Sequence, residues 1–371
     1  MSIKGGAPIL SVTGQFVAPM FPELADPEPR PVFRFIDLFA GIGGIRTGLE
    51  RAGGRCVYTV EFDRFAMQTY SANFGPVGAD WRRRAEPPRD IYDVRVEDLP
   101  AYDVLAAGFP CQPFSLAGVS KKLSLGRKHG FEDKKSGNLF FEIARLVDEA
   151  PAPPPVLFLE NVKHLLRHDG GKTLRVIRDT LEDRGYNLSV EVVDAQAWVP
   201  QHRERTFIIG LHRDVYGEQH FAFPERPLAV APVLGSILET AVDPKYTLTQ
   251  HLWDYLQAYA EKHRAAGNGF GFGLVDATSV TRTLSARYHK DGSEILIRQE
   301  GTRPRRLTPR ECARLMGYSD DFVIPVSDTQ AYRQFGNSVV VPVIGWLARA
   351  LADQAFPEVR PQRRRRLAAA G

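Results

Sequence analysis

Residues 33–54 read FRFIDLFAGIGGIRTGLERAGG. The opening stretch, 33–39, is almost continuously apolar, which predicts a short strand buried in a sheet. Residues 40–44 are a glycine turn. The next stretch, 45–52, repeats apolar side chains at helical spacing and stops at Gly53, a residue suited to ending a helix. Strand, glycine turn and helix in that order predict the first unit of a nucleotide-binding α/β sheet. The spacing Gly41-x-Gly43-Gly44 departs from the GxGxxG dinucleotide fingerprint. Such a turn lets a ligand approach the backbone but has no particular claim on a pyrophosphate.

Working outward, a second strand over 55–60 ends in Glu61-Phe62-Asp63. A carboxylate about 20 positions past the glycines suits a pair of ribose hydroxyls, and Phe62 offers a face to a purine. A helix follows over 65–74, then a charged, breaker-rich loop, DWRRRAEPPRD, over 80–90. The run DVLAAGF, 103–109, predicts a buried strand that opens into Pro110-Cys111-Gln112-Pro113. Cys111 thus falls at the C-terminal end of a strand, where α/β sheets place ligands, beside a proline that fixes the backbone. The basic, glycine-punctuated segment 121–136 suits a mobile lid over an anionic substrate. A helix over 137–149 and a strand over 156–159 lead to Glu160-Asn161-Val162, a carboxylate at another strand end. A helix over 174–185 and a strand over 186–193 precede Gln201-His202-Arg203-Glu204-Arg205 and a strand over 206–211. Arg203 and Arg205, two apart, share a face and can address one site.

From about residue 225 the alternation of strand and helix stops, which predicts a second, smaller domain with short strands at 279–288 and 294–298. The expected division is an N-terminal arm (1–31), a large domain (32–224), the small domain (225–324), a return to the large domain (325–358) and a basic tail (359–371). Near the end, Thr308 caps a helix over 307–316, and Phe335-Gly336-Asn337-Ser338-Val339 opens a helix over 343–354. Formal net charge is +4 over 371 residues, a mild basic bias that permits a nucleic-acid partner. Three scattered cysteines, Cys56, Cys111 and Cys312, fit a reducing compartment and show no metal-ligand spacing. No apolar run of membrane-spanning length is read, and no signal-peptide pattern. The expectation is a cytoplasmic, metal-free, monomeric protein.

Six blocks resemble, in order, those of the DNA cytosine-5 methyltransferase family: FIDLFAGIGG, GFPCQPFS, LENV, QHRER, RRLTPRECARLMGY and FGNSVVVP. The resemblance spans roughly 33–350. It implies an S-adenosylmethionine-dependent α/β methyltransferase (Rossmann-like) domain with a smaller target-recognition domain, acting on double-stranded DNA. It further implies Cys111 as nucleophile, Glu160 at the base N3, Arg205 on the base and Arg203 in support. For S-adenosylmethionine it implies Phe39, Gly41, Gly43, Glu61, Phe62, Asp90, Ile91, Gly108, Pro110, Asn337, Ser338 and Val339. The segments GNGFGFGL and TRTLSARYHKDGSEILI look like the Dcm-like branch, which methylates a cytosine in CCWGG-type sites and whose members serve bacterial DNA modification, including restriction–modification.

The chemistry accounts for these residue types. Carbon 5 of cytosine is a poor nucleophile until a thiolate adds at C6 and turns the ring into an enamine. The thiolate needs electropositive surroundings. Charge building on the ring calls for a proton at N3, which a carboxylic acid of raised pKa can give. A base inside a duplex is out of reach, so the target has to be flipped out. Three other readings stand beside this one: the same chemistry on tRNA, a catalytically silent DNA-binding module on the same fold, and a nicotinamide oxidoreductase. The glycine spacing disfavours the last.

Overall fold

The computed structural model describes residues 31–75, 90–110, 139–227, 231–267 and 271–357. Most of the N-terminal arm, the 80–90 loop up to residue 89, Cys111, the basic segment 121–136 and the C-terminal tail lie outside them. In chain order the described elements are β1 (Phe33–Leu38), α1 (Gly44–Glu50), β2 (Gly54–Val60), α2 (Arg64–Phe74), β3 (Val104–Gly108) and α3 (Leu139–Glu149). There follow β4 (Val156–Val162), α4 (Lys172–Glu182), β5 (Tyr186–Asp194), β6 (Glu204–His212) and the single turn α5 (Arg213–Tyr216). The last are α6 (Gln250–Ala265), β7 (Leu274–Val275), β8 (Leu296–Ile297), α7 (Pro309–Leu315), α8 (Asp328–Asn337) and α9 (Val341–Ala355).

Six strands form one sheet in the order β2-β1-β3-β4-β6-β5. Strands β1 to β4 run parallel, whereas β6 runs against both β4 and β5. The parallel strands are apolar on both faces because helices cover both. Alternation along β1 sends Phe33 and Phe35 to one layer, with Leu49 of α1 and Ile344 and Leu347 of α9. It sends Ile36 and Leu38 to the other, with Ile143 and Leu146 of α3 and Ile177 of α4. Where α1 meets α9, a Cβ on Gly48 would lie 2.4 Å from the Ile344 side chain, so only glycine permits that approach. Phe33, opening β1, stacks on Phe356 just past α9 with ring centroids 5.3 Å apart.

The sheet matches the expected strands to within two residues at either end except for β4, which runs three residues further, to Val162, and the α/β class is as read. The C-terminal third differs. Residues 279–288 are not strands: Thr281 makes one isolated parallel bridge to Gln201. Regular pairing there amounts to the two-residue ladder of β7 and β8. Two helices were not anticipated. Helix α6 is capped by Thr249, whose side chain accepts from the Leu252 amide, and α8 places Phe335-Gly336-Asn337 at a helix end instead of in an entry loop. Helix α7 is capped as expected, with the reciprocal Thr308–Glu311 capping box. The stretch Asp328–Ala355 is long and apolar enough to cross a membrane, contrary to the sequence expectation, yet 72% of its apolar window is buried inside the protein. Ser338, in extended conformation, caps the end of α8, so the stretch is two helices packed as core.

Candidate active site

The chain reverses its direction of travel across the sheet between β1 and β3, and ligands bind at such switch points beyond the strand ends. A cavity of about 1090 Å³ lies there. Its walls come from the segments following β1 (Phe39, Gly41), β2 (Glu61, Phe62), β3 (Gly108, Pro110) and β4 (Glu160, Asn161), from Asp90 and Ile91, and from Asn337 to Val339 at the end of α8. Arg205 joins them from the beginning of β6, because an antiparallel strand brings its start to the edge where its neighbours bring their ends.

The β1 turn is left-handed at Phe39 (φ 57°), Gly41 (φ 56°) and Gly43 (φ 83°). Phe39 is one of two described non-glycine residues with positive φ, a conformation that costs an L-residue about 1 kcal/mol or more. Glu61 holds the turn: one carboxylate oxygen accepts from the Gly41 amide and the other from the Asp63 amide, each at 2.7 Å. Burial raises the Glu61 pKa against those two amides. Beside it Phe62 is 71% exposed, an aromatic face available for stacking. Gly43 lies behind the lining, where a Cβ would meet the Phe74 ring at 2.2 Å; it shapes the turn. Asp90 caps the turn 91–93 by accepting from the Tyr92 amide. Arg145 of α3 fixes that segment from behind by donating to the carbonyls of Ile91 and Val94.

At the other end, Glu160 is 8% exposed and forms an ion pair with Arg205, the guanidinium Nε lying 3.1 Å from its carboxylate. Burial pushes its carboxyl up, against the pull of Arg205 and Arg203. Burial also lowers Arg205. Glu160 stands opposite Gly108 in the β3–β4 register, three residues before Cys111. Asn161, 2% exposed, donates to the Phe109 carbonyl at 2.9 Å and so ties β4 to the chain leaving β3. Sequence reasoning passed over Asn161 and Arg145, whose contacts here are to backbone carbonyls of segments distant in the chain. Arg203 departs from the expected pairing. It is 1% exposed, lies outside the cavity lining, and donates to the carbonyls of Leu284, Gly336 and Ser338 at 2.6–2.9 Å.

Asp37, four residues before Gly41, is fully buried, and neither of its oxygens has a hydrogen-bond partner. Burial, eased by Arg46, pushes its pKa up to about 8. Cys56 and Cys312 are free and buried. Desolvation pushes the first to about 12 and the second further still, so neither is a ready thiolate. Among the described residues no group of three or more His, Cys, Asp or Glu side chains could hold a metal ion.

A family model described as C-5 cytosine-specific DNA methylase matches residues 33–353. The chain is 48% identical over 377 residues to the DNA-cytosine methyltransferase of Escherichia coli strain K12, covering 87% of this chain and 78% of that one. It is 49% identical to the type II methyltransferase M.NlaX of Neisseria lactamica, covering 87% and 96% respectively. Against M.HpaII of Haemophilus parainfluenzae the identity is 38%, covering 88% and 90%. Among solved structures, the S. pombe Dnmt2 methyltransferase superposes with a TM-score of 0.67 over 87% of this chain and all of the other, at 20% identity. That likeness is one of fold.

Proposed function

The chain belongs to the family of C-5 cytosine-specific DNA methylases, and from that premise we propose a covalent mechanism and a set of residues that carry it. The single supporting observation is the Glu160–Arg205 pair, 3.1 Å apart, with Glu160 buried and Arg205 half-buried, where β4 stands opposite Gly108 at the end of β3, three positions before Cys111 in the sequence. Cys111 adds to C6 of a flipped-out cytosine in duplex DNA. Glu160, whose raised pKa favours the acid form, gives a proton to N3. Arg205 holds Glu160 and the base, and Arg203 supports the wall behind them. The enamine carbon C5 takes a methyl group, its proton leaves to a base, and Cys111 is expelled.

The methyl donor is S-adenosylmethionine, which supplies an activated methyl on sulfur. The residues present suit it. Glu61 would bind the ribose hydroxyls and Phe62 would stack on the adenine, with Asp90 and Ile91 at its amino edge. Phe39, Gly41, Gly108, Pro110, Asn337, Ser338 and Val339 complete the wall. Gly43 acts on the turn from behind. The division into a catalytic domain (32–224, 325–358) and a target-recognition domain (225–324) belongs to the same proposal, as do a CCWGG-type site, a role in bacterial DNA modification, and action as a cytoplasmic monomer.

The test is a duplex carrying 5-fluorocytosine at the target. Fluorine cannot leave as a cation, so the adduct should survive boiling in detergent, and only with S-adenosylmethionine present. Cys111→Ser should form no such complex, whereas Cys56→Ser and Cys312→Ser should still trap. A stable adduct in Cys111→Ser, or none in the wild type on DNA it methylates, refutes the mechanism. Bisulfite sequencing of a methylation-free host expressing the chain gives the site, and a parallel assay on tRNA decides between the two nucleic acids.

A further inference from the structure

Gln201 has no exposed surface and is not a wall of the cavity. Its side-chain oxygen accepts from the Leu284 amide at 2.7 Å, and its nitrogen faces the Leu315 carbonyl at 3.4 Å. The Leu284 carbonyl, on the other side of the same residue, accepts from Arg203 at 2.7 Å. Both polar backbone groups of one buried residue are therefore held by side chains two positions apart, just ahead of β6. Around this grip the segments close like a zip. The Thr281 amide and hydroxyl donate to the Pro200 carbonyl, the His202 amide donates to the Thr281 carbonyl, and the Thr283 hydroxyl donates to the His202 carbonyl. Gly336 locks the far side, since a Cβ there would lie 2.3–2.4 Å from backbone atoms of Ser285 and Ala286.

Residues 283–286 line the cavity, and Arg205, two residues past Arg203, lines it too. We infer that Gln201 and Arg203 are positioning residues that lock the segment 281–286 to the catalytic strand β6, so that discrimination among DNA sequences is set partly behind the cavity wall. This rests on the DNA-methylating function proposed above. Discrimination in a tight site depends on each group being held where a wrong base leaves it unpaired. A loosened Leu284 peptide would let the wall follow a wrong substrate.

The test measures kcat and KM for the methylated sequence and for duplexes differing from it at one base pair. Gln201→Leu leaves the buried Leu284 amide without its acceptor. It should raise the KM for the cognate duplex and lower discrimination against the variant duplexes by about tenfold, the scale of one lost buried hydrogen bond. The KM for S-adenosylmethionine should not move. Gln201→Glu in its protonated form keeps an acceptor for that amide and should retain discrimination. Should Gln201→Leu not fold, Thr281→Val, which removes one bond of the zip, should lower discrimination by about threefold. Wild-type discrimination in a folded Gln201→Leu or in Thr281→Val, or an equal loss on all duplexes, overturns the inference. A wild type that methylates no DNA cytosine overturns the function itself and is seen before any variant is made.

Discussion

Replacing Asp37 by asparagine removes a carboxyl that the fold buries without a hydrogen-bond partner. Its pKa is about 8 in the folded protein against 3.8 for an ordinary aspartate. The folded state thus holds this proton more tightly than the unfolded chain. The associated stability is complete below the unfolded value and is lost as pH rises towards the folded one. Each unit in that window costs up to about 1.4 kcal/mol. Between pH 5 and pH 8 the loss sums to roughly 3–4 kcal/mol. The asparagine side chain titrates nothing, so the stability of Asp37→Asn should lack that slope. Urea unfolding of both proteins at pH 5, 6, 7 and 8 reads the difference directly, and contributions from other groups cancel. At any one pH the offset carries the cost of two new unpaired donors, about 1–3 kcal/mol, so the slope is the quantity to compare. Parallel curves would show that Asp37 is ionised through the range and that the argument from burial is wrong.

Glu61→Ala should weaken S-adenosylmethionine binding by roughly 1–3 kcal/mol, since it removes the acceptor of the Gly41 and Asp63 amides along with the proposed ribose contact. DNA binding should survive, and unchanged cofactor affinity by calorimetry would discard the assignment. Exchanging residues 226–303 for the same region of a relative should change the methylated sequence while leaving carbon 5 of cytosine as target. An active chimera that keeps the original site would refute the recognition role of that region.

The central sheet was legible because its signal is local. The strands are apolar runs bounded by glycine or proline, and the first turn announces itself by three glycines in four residues. The missed parts depend on distant partners. Helix α8 is polar in composition, and its buried Ala331, Tyr332 and Phe335 find their cover in elements far along the chain; its Gly-Asn end reads as a loop until that cover is known. Residues 279–288 alternate like a strand, but the backbone groups of Thr281 and Leu284 bond to 200–203 and those further along bond within their own turns. Arg203 precedes β6 instead of lying in it, so strand alternation does not govern its side chain. Glu160 and Arg205 were legible as a pair of motifs. That they meet at 3.1 Å follows only from the reversed direction of β6.

The stacking of Phe33 on Phe356 brings the first strand and the end of the last helix side by side. In topological terms the body between them is close to a ring, and the sequence order of its motifs is an accident of where that ring is open. A short linker across those two rings, with new termini cut into the prolines of 151–155, would open the chain at the sheet edge remote from the cavity. A protein permuted in this way would meet the carboxylate motif first and the glycine turn late, yet place both where they stand now.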